Sequence, residues 1–232
     1  MPPLFLNRVD AGRQLAHRLR HLAGQPNLMV LGLPRGGVPV AFEVATALGA
    51  PLDVLTVRKI GVPGHEELAM GAIATGGVRV ENPEILSTLG ISRRQFDQVV
   101  AVEERELERR EHAFRKGRPF PDLRQATVIL VDDGVATGST MIAALRALRL
   151  HSPAVLVAAA PVMSEGALAD LGRVADSCVT VATPEPFRGV GEWYSDFTQT
   201  SDEDVMELLD RASAAAPAGR RTGNEVANAS HS

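Results

Sequence analysis

The stretch from Val128 to Thr140 constrains the fold of this chain more than any other part of the sequence. It opens with four consecutive apolar residues, Val128 to Val131. Such a run predicts a strand that is covered on both faces, as strands of parallel sheets in α/β proteins are. The acids Asp132 and Asp133 follow at the carboxyl end of this strand, and small residues then lead to a helix that we predict to begin near Thr140.

This arrangement has a direct chemical interpretation. Ligands of open α/β sheets bind at the carboxyl ends of the strands, where the adjacent carboxylates of Asp132 and Asp133 could accept hydrogen bonds from a sugar diol or hold a hydrated metal. The loop from Val135 to Thr140 would leave backbone N–H groups free at a helix start, which suits a phosphate. The alternative is a buried strand, an ordinary Asp-Gly turn and a Ser or Thr helix cap. The loop lacks the G-x-x-x-x-G-K pattern of a Walker A motif.

A second glycine-rich turn occurs earlier in the chain. The apolar run from Leu28 to Leu33 predicts a strand, and it leads through Pro34, Arg35, Gly36 and Gly37 into a predicted helix from Val38 to Leu48. This turn could bind an anion, or it could be a β-to-α turn without a ligand.

A third segment carries two adjacent cations. Leu52 to Val57 predicts a strand, and Arg58 and Lys59 follow it directly. We interpret the polar, glycine-punctuated residues from Arg58 to Glu67 as a mobile loop; the alternative is a solvated strand end. The residues from Ala69 to Val80, with a glycine pair inside, predict a hairpin. Arg93 to about Lys116 predicts a long charged helix, capped by Ser92, whose exposed face could contact a second copy in a homodimer.

The Val128 to Thr140 segment resembles the phosphoribosyl diphosphate (PRPP) signature of type I phosphoribosyltransferases: four apolar residues, two acids, and a loop ending in T-G-S-T. The R-G-G turn and the Arg58-Lys59 pair are similar to other parts of that family's pattern. The resemblance covers roughly Leu28 to Phe197 and implies an α/β fold, a doubly wound parallel sheet with a small hood and a flexible hairpin loop. The strand-helix alternation predicts the same sheet.

The resemblance also implies site residues, and it implies a role in nucleotide salvage. Asp132 and Asp133 would hold the ribose hydroxyls, and the R-G-G turn would bind diphosphate with an unusual peptide geometry. Arg58, Lys59, Asp132 and Asp133 are the implied catalytic residues, assisted by Mg²⁺, for which the two aspartates are the candidate contacts. The residues implied to bind PRPP are Arg35, Gly36, Gly37, Asp132, Asp133, Gly134, Val135, Ala136, Thr137, Gly138, Ser139 and Thr140.

The accepting base would be bound by the hood, which we place at about residues 182–200. This stretch contains the chain's only Trp and only Tyr, and it distantly resembles the hypoxanthine-guanine branch of the family. We expect a flat, purine-like nitrogenous base to stack on Phe187 or Trp193, with Asp196 reading its edge. The alternative is that these aromatic side chains pack a core.

Composition sets further bounds. With 232 residues and a formal net charge of −4, the chain can form one domain, which we place at residues 1–213, and it lacks the basic excess of a nonspecific nucleic-acid binder. A single cysteine, Cys178, suits a reducing cytoplasm. No apolar run reaches membrane-spanning length. Residues 214–232 lack periodicity and are predicted to be a disordered tail.

Two functions other than catalysis of phosphoribosyl transfer stay open at the level of sequence. One is a regulatory protein that senses PRPP without turning it over; a separate DNA-binding helix-turn-helix would favour it, and none is evident. The other is a metal-dependent phosphatase, which would need a D-x-D nucleophile, whereas Asp133 is followed by Gly134 and Val135.

Overall fold

A computed structural model describes residues 2–215, without the side chains of Glu66 and Glu67, and its centre is a parallel sheet. Five strands pair side by side in the order β2-β1-β6-β7-β8. Their bounds are β1 Leu28–Gly32, β2 Leu52–Val54, β6 Thr127–Val131, β7 Val155–Val162 and β8 Ser177–Ala182. Every pairing is parallel. The predicted doubly wound α/β fold is confirmed.

Helices cover both faces of this sheet because β6 alternates its side chains between two apolar layers. Ile129 and Val131 pack with the first two helices, whereas Val128 and Leu130 pack with the two that follow β6. The seven helices within residues 2–215 are α1 Arg8–Leu19, α2 Gly37–Leu48, α3 Pro83–Thr88, α4 Arg93–Arg115, α5 Ser139–Arg149, α6 Glu165–Leu171 and α7 Asp202–Ala215. These four apolar residues of β6 are fully buried, as the apolar run predicts.

A smaller antiparallel sheet stands beside the main one. Its strands are β3 Val57–Val62, β4 His65–Ala74 and β5 Val78–Glu81, joined in that order. The interpretation of Arg58 to Glu67 as a loop is wrong for most of that segment, which forms β3 and the start of β4. The physical reason is that Ile60 and Val62 alternate with more polar residues and bury against Phe96 of α4, which makes this a half-buried strand pair.

The amino-terminal end of the described chain meets the hood. The amide of Phe5 donates to the carbonyl of Trp193 at 3.0 Å, and Phe5 bridges to Tyr194. Asn7 caps α1 by accepting from the amide of Asp10 at 3.0 Å. The predicted tail begins inside α7, which continues to Ala215; residues 216–232 of that prediction lie outside the described residues.

None of the helices within residues 2–215 combines the length and the apolar character needed to cross a bilayer.

Candidate functional site

The acid pair lies where the sequence places it, directly after β6. Asp132 accepts a hydrogen bond on Oδ1 from the amide of Asp133 at 2.9 Å. The Oδ2 atom of Asp133 accepts from Nε of Arg8 at 2.8 Å, and Nη2 of Arg8 lies 2.7 Å from the same oxygen. The hydroxyl of Tyr194 donates to the main-chain carbonyl of Asp133. The pair is therefore held by α1 on one side and by the hood on the other.

The R-G-G turn presses against both acids. A Cβ added to Gly36 would lie 2.0 Å from Oδ2 of Asp133, and one added to Gly37 would lie 2.9 Å from Cα of Asp132. Only glycine fits these two positions without moving the acids. The peptide bond between Pro34 and Arg35 is cis. The side chain of Arg35 is 40% exposed and lies 3.8 Å from Asp202 of α7, so its own ion-pair partner is outside the acid pair.

The Val135–Thr140 loop joins the acid pair to α5. The amide of Val135 donates to the carbonyl of Val162 at 2.9 Å, which anchors the loop to the end of β7. Gly138 precedes α5 with a φ of 75°, in the left-handed region that favours glycine. Ala136, Thr137, Ser139 and Thr140 are exposed. Among the groups that the structure describes, the amides of Ala136 and Thr137 have no hydrogen-bond acceptor. The loop can therefore donate to an anion at the N-terminus of α5.

Burial and mutual repulsion set the protonation of the acids. Burial raises the pKa of Asp132 well above its usual range, and the neighbouring Asp133 charge raises it further. Burial also raises the pKa of Asp133, whereas the Arg8 guanidinium opposes that rise through its charge and its hydrogen bond. Burial likewise raises the pKa of Tyr194, so its hydroxyl keeps its proton and donates a hydrogen bond to the main-chain carbonyl of Asp133.

In the part of the chain that the structure describes, the predicted cations Arg58 and Lys59 form no ion pair or hydrogen bond with Asp132 or Asp133. Arg58 lies on β3 and forms an ion pair with Glu103 of α4 through Nε. Lys59, the next residue, is exposed. The structure therefore places the pair on the small sheet, with Arg58 already partnered by a carboxylate and Lys59 facing solvent.

The hood contributes Trp193 and Tyr194 to an apolar cluster and leaves Phe187 and Phe197 partly exposed. Trp193 is only 4% exposed and packs with Phe5, Val162 and Tyr194. This burial corrects the interpretation of Trp193 as a stacking surface, because a ring inside a core offers no free face to a base. Phe187 is half-buried, with its ring centroid 6.2 Å from that of Trp193.

Phe187 also lines an open groove of about 550 Å³ beside the Val135–Thr140 loop. The groove is bounded by Ser164, Glu165, Gly166, Pro184, Glu185, Pro186 and Phe187. Ser164 connects it to the loop, since its hydroxyl donates to the carbonyl of Ala136 at 2.6 Å. Asp196 lies elsewhere in the hood, where its carboxylate accepts from the amide and the hydroxyl of Thr198 at 3.0 and 2.6 Å.

Sequence reasoning missed Arg8 and the role of Tyr194. Arg8 is separated from Asp133 by 125 positions. In the sequence it is one of several arginines at helical spacing in the first helix, and nothing in the local pattern sets it apart.

A parallel α/β sheet whose central strand ends in two acids, between two glycine-containing loops, has the architecture of α/β proteins that bind ligands at the carboxyl ends of their strands. Comparison with known protein families identifies the class of protein. The model of the phosphoribosyl transferase domain family matches residues 6–193, and the chain belongs to that family.

Relatives agree with this assignment. Two Mycobacterium tuberculosis proteins named "Putative phosphoribosyl transferase" are 49% identical over 209 residues, which is 90% of this chain and 47% of theirs. The chain thus spans about half the length of these curated relatives. The crystal structure of a Thermus thermophilus protein has 41% sequence identity and a TM-score of 0.81, with 90% of this chain and 98% of that chain covered.

Proposed function

We propose that this chain catalyses transfer of the phosphoribosyl group of PRPP to a nitrogenous base, with release of diphosphate. The observation that carries the proposal is the position of Asp132 and Asp133, in contact with the Pro34–Gly37 turn and directly before the Val135–Thr140 loop. In the reaction, the bond from ribose C1 to the diphosphate oxygen breaks and a bond from C1 to a base nitrogen forms. Positioning and electrostatics supply the catalysis, as the reaction needs no covalent help from the protein.

Each loop has one role in this proposal. The acids accept from the ribose hydroxyls, and the amides of the Val135–Thr140 loop bind the 5′-phosphate. The backbone of the Pro34–Gly37 turn faces the diphosphate. Arg58 and Lys59 would stabilise the departing charge, which requires Arg58 to share or leave its ion pair with Glu103.

The residues present fit a hydrated Mg²⁺. Among the side chains that the structure describes, which exclude those of Glu66 and Glu67, there is no cluster of three or more His, Cys, Asp or Glu that would bind a metal by itself. Mg²⁺ commonly uses one or two carboxylates together with waters and substrate phosphates, and Asp132 and Asp133 provide such carboxylates. When bound, the ion would neutralise charge on the diphosphate.

The groove beside Phe187 supports an uncharged base rich in N–H groups. Its lining contains the carboxylates of Glu165 and Glu185 and no basic side chain. Carboxylates accept hydrogen bonds from ring N–H and exocyclic amino groups and repel anions. A purine-like base that stacks on Phe187 is therefore favoured over an acidic base such as orotate or nicotinate.

One observation favours the second candidate, a protein that binds PRPP without turning it over. Arg35 and Arg58 are both directed to carboxylates outside the acid pair. A site whose cations stay engaged elsewhere could hold the sugar phosphate and leave the diphosphate bond intact. The homodimer and the cytoplasmic location expected from the sequence stay predictions.

Diphosphate release, measured with PRPP, Mg²⁺ and a panel of purine, pyrimidine and nicotinate bases, tests the first proposal. We expect release that depends on a purine-like base. Uptake of PRPP by calorimetry, without release for any base, would favour the regulatory protein. Absence of uptake would contradict both functions.

A further inference from the structure

The side chain of Arg8 connects three parts of the molecule that are far apart in sequence. Its Nε and Nη2 atoms both approach Oδ2 of Asp133, at 2.8 and 2.7 Å. Its Nη1 atom donates to the carbonyl of Thr198 at 2.7 Å, and its guanidinium carbon lies 4.0 Å from the ring centroid of Phe197. One cation from the first turn of α1 thus joins the acid pair to the hood.

The surroundings hold this contact in place. The side chains of Arg8 and Asp133 are only 12% and 14% exposed, so solvent screens the pair weakly. Gly36 closes the other side, because a Cβ there would lie 3.2 Å from Nε of Arg8. The planar, forked guanidinium uses its edges for the two oxygens and its face for the ring, a combination that lysine cannot reproduce.

The hydrogen bonds divide the four carboxylate oxygens into two sets. Protein donors contact Oδ1 of Asp132 and Oδ2 of Asp133. Within residues 2–215, Oδ2 of Asp132 and Oδ1 of Asp133 accept no hydrogen bond from the protein. Two acceptors on neighbouring residues therefore remain for a pair of vicinal hydroxyls.

The charges around the acid pair also support a role for Arg8 at this site. Two ionised acids would repel a substrate with a phosphate and a diphosphate, and Arg8 offsets one of these charges. The groups that face Asp133 are Arg8 from α1, the neighbouring Asp132, and the Tyr194 hydroxyl from the hood at its main-chain carbonyl. Arg8 is the cation among them.

We propose that Arg8 is a positioning residue of the phosphoribosyl site, which fixes one oxygen of Asp133 and the hood at Thr198 so that the free carboxylate oxygens meet the ribose hydroxyls. This inference rests on the proposed function and adds to it a residue that acts through Asp133.

Three variants test the proposal: Arg8→Gln, Arg8→Lys and the control Arg13→Gln. Arg13 lies on the same helix in an ion pair with Glu43, and its side chain is 71% exposed. Losing hydrogen bonds to a charged group should raise the KM for PRPP about 10- to 100-fold in Arg8→Gln, with a smaller change in kcat. Arg8→Lys should recover part of this loss because it keeps the charge, and Arg13→Gln should match the unchanged protein.

The pH profile separates positioning from a purely structural role. Without the cation, Asp133 should hold its proton to higher pH, so the acid limb of kcat/KM should move upward in Arg8→Gln. A structural role alone would lower Tm and leave this limb in place. An unchanged KM and acid limb would overturn the proposal, and so would tighter PRPP binding, because Arg8 would then obstruct the site.

A further readout does not need activity. Carbon-13 NMR titration of the aspartate carboxyl groups should show a higher midpoint for Asp133 in Arg8→Gln than in the unchanged protein. If the unchanged protein neither binds PRPP nor releases diphosphate, the proposed function fails while the titration still reports on the Arg8 contact. An unchanged midpoint for Asp133 would contradict the contact itself.

Discussion

Asp132 is a buried acid whose charge lowers the stability of the fold. Burial raises its pKa, and so does the adjacent Asp133 charge. The folded protein therefore binds a proton more tightly here than the unfolded chain does. Folding stability from this group falls as pH rises from the ordinary aspartate pKa through the raised one, and the cost is fully present above that window. We infer that the carboxylate is kept for its ligand.

Replacing Asp132 with Asn should therefore act in opposite directions on activity and stability. PRPP use, measured as diphosphate release, should fall about 100-fold because charged hydrogen bonds to the ribose are lost. Thermal unfolding at neutral pH should occur at a higher temperature than in the unchanged protein, and this difference should shrink as pH falls through the raised pKa. Asp170→Asn, at an exposed acid paired with Arg173, is the control and should change neither quantity. Full activity in Asp132→Asn would contradict the assignment.

Lys59 allows a similar test of the predicted cation pair. It is exposed, so Lys59→Ala should leave Tm unchanged. If Lys59 meets the departing diphosphate, kcat should fall by about 10- to 100-fold. Lys116→Ala is a matched control, because Lys116 is the chain's other lysine and is paired with Asp210 at 2.7 Å. Equal rates for both variants would remove Lys59 from the mechanism.

Some site residues could be predicted from sequence and others could not, for a physical reason. Asp132 and Asp133 were visible because a buried strand, two acids and a phosphate-type loop follow one another directly. Arg8 reaches the same point through tertiary packing, which leaves no local pattern. Trp193 was misread because an aromatic side chain has the same sequence signal in a core as on a binding surface.

Between elements, α1 and α2 approach each other closely at Gly12. A Cβ on Gly12 would lie 2.8 Å from Cβ of Glu43 and 3.0 Å from the carbonyl of Val40. This close approach also sets the start of α1, and therefore the base of Arg8, relative to the sheet. A glycine in the middle of a helix is otherwise unfavourable.

Gly12→Ala should consequently destabilise the protein in spite of the higher helix propensity of alanine. The crowding should lower the free energy of unfolding by about 1–3 kcal/mol, measured by chemical denaturation. Gly166→Ala in α6 is the control, because a Cβ there meets nothing within 4 Å. That change should be neutral or stabilising by up to about 1 kcal/mol. Stabilisation by Gly12→Ala would show that the helices can separate at little cost.

Most helices and strands could be predicted from the sequence, because each has a single dominant pattern of apolar and polar residues. The apolar runs predict β1, β2 and β6 of the parallel sheet, and Ser92 caps α4 as expected, through a capping box. The exception was β3, where arginine, lysine and glycine concealed the alternation of Ile60 and Val62. Packing against Phe96 stabilises that segment as a strand. Phe96 lies too far along the chain for this contact to be predicted from the local sequence.

At the scale of the whole molecule, the two sheets pack against different apolar clusters. The parallel sheet has an apolar layer on each face, and Ile60, Met70 and Phe96 belong to a separate cluster between α4 and the small sheet. The small sheet with α3 and α4, which we call the arm, therefore carries its own core. Since the arm bears Arg58 and Lys59, its independent opening could move these cations without disturbing the acid pair.

Hydrogen exchange can establish whether the arm opens by itself. Phe96 is 1% exposed, and Phe96→Ala should lower the opening free energy of arm amides by about 3–5 kcal/mol. Amides of β6 and β7 should keep their protection, because their packing does not involve Phe96. Leu145→Ala, in the layer on the main sheet, is the contrasting variant and should reduce protection of β6 and β7 by about 2–5 kcal/mol. If Phe96→Ala lowers protection equally in β6, the arm and the sheet unfold as one unit, and the cations can approach the diphosphate only by side-chain movement.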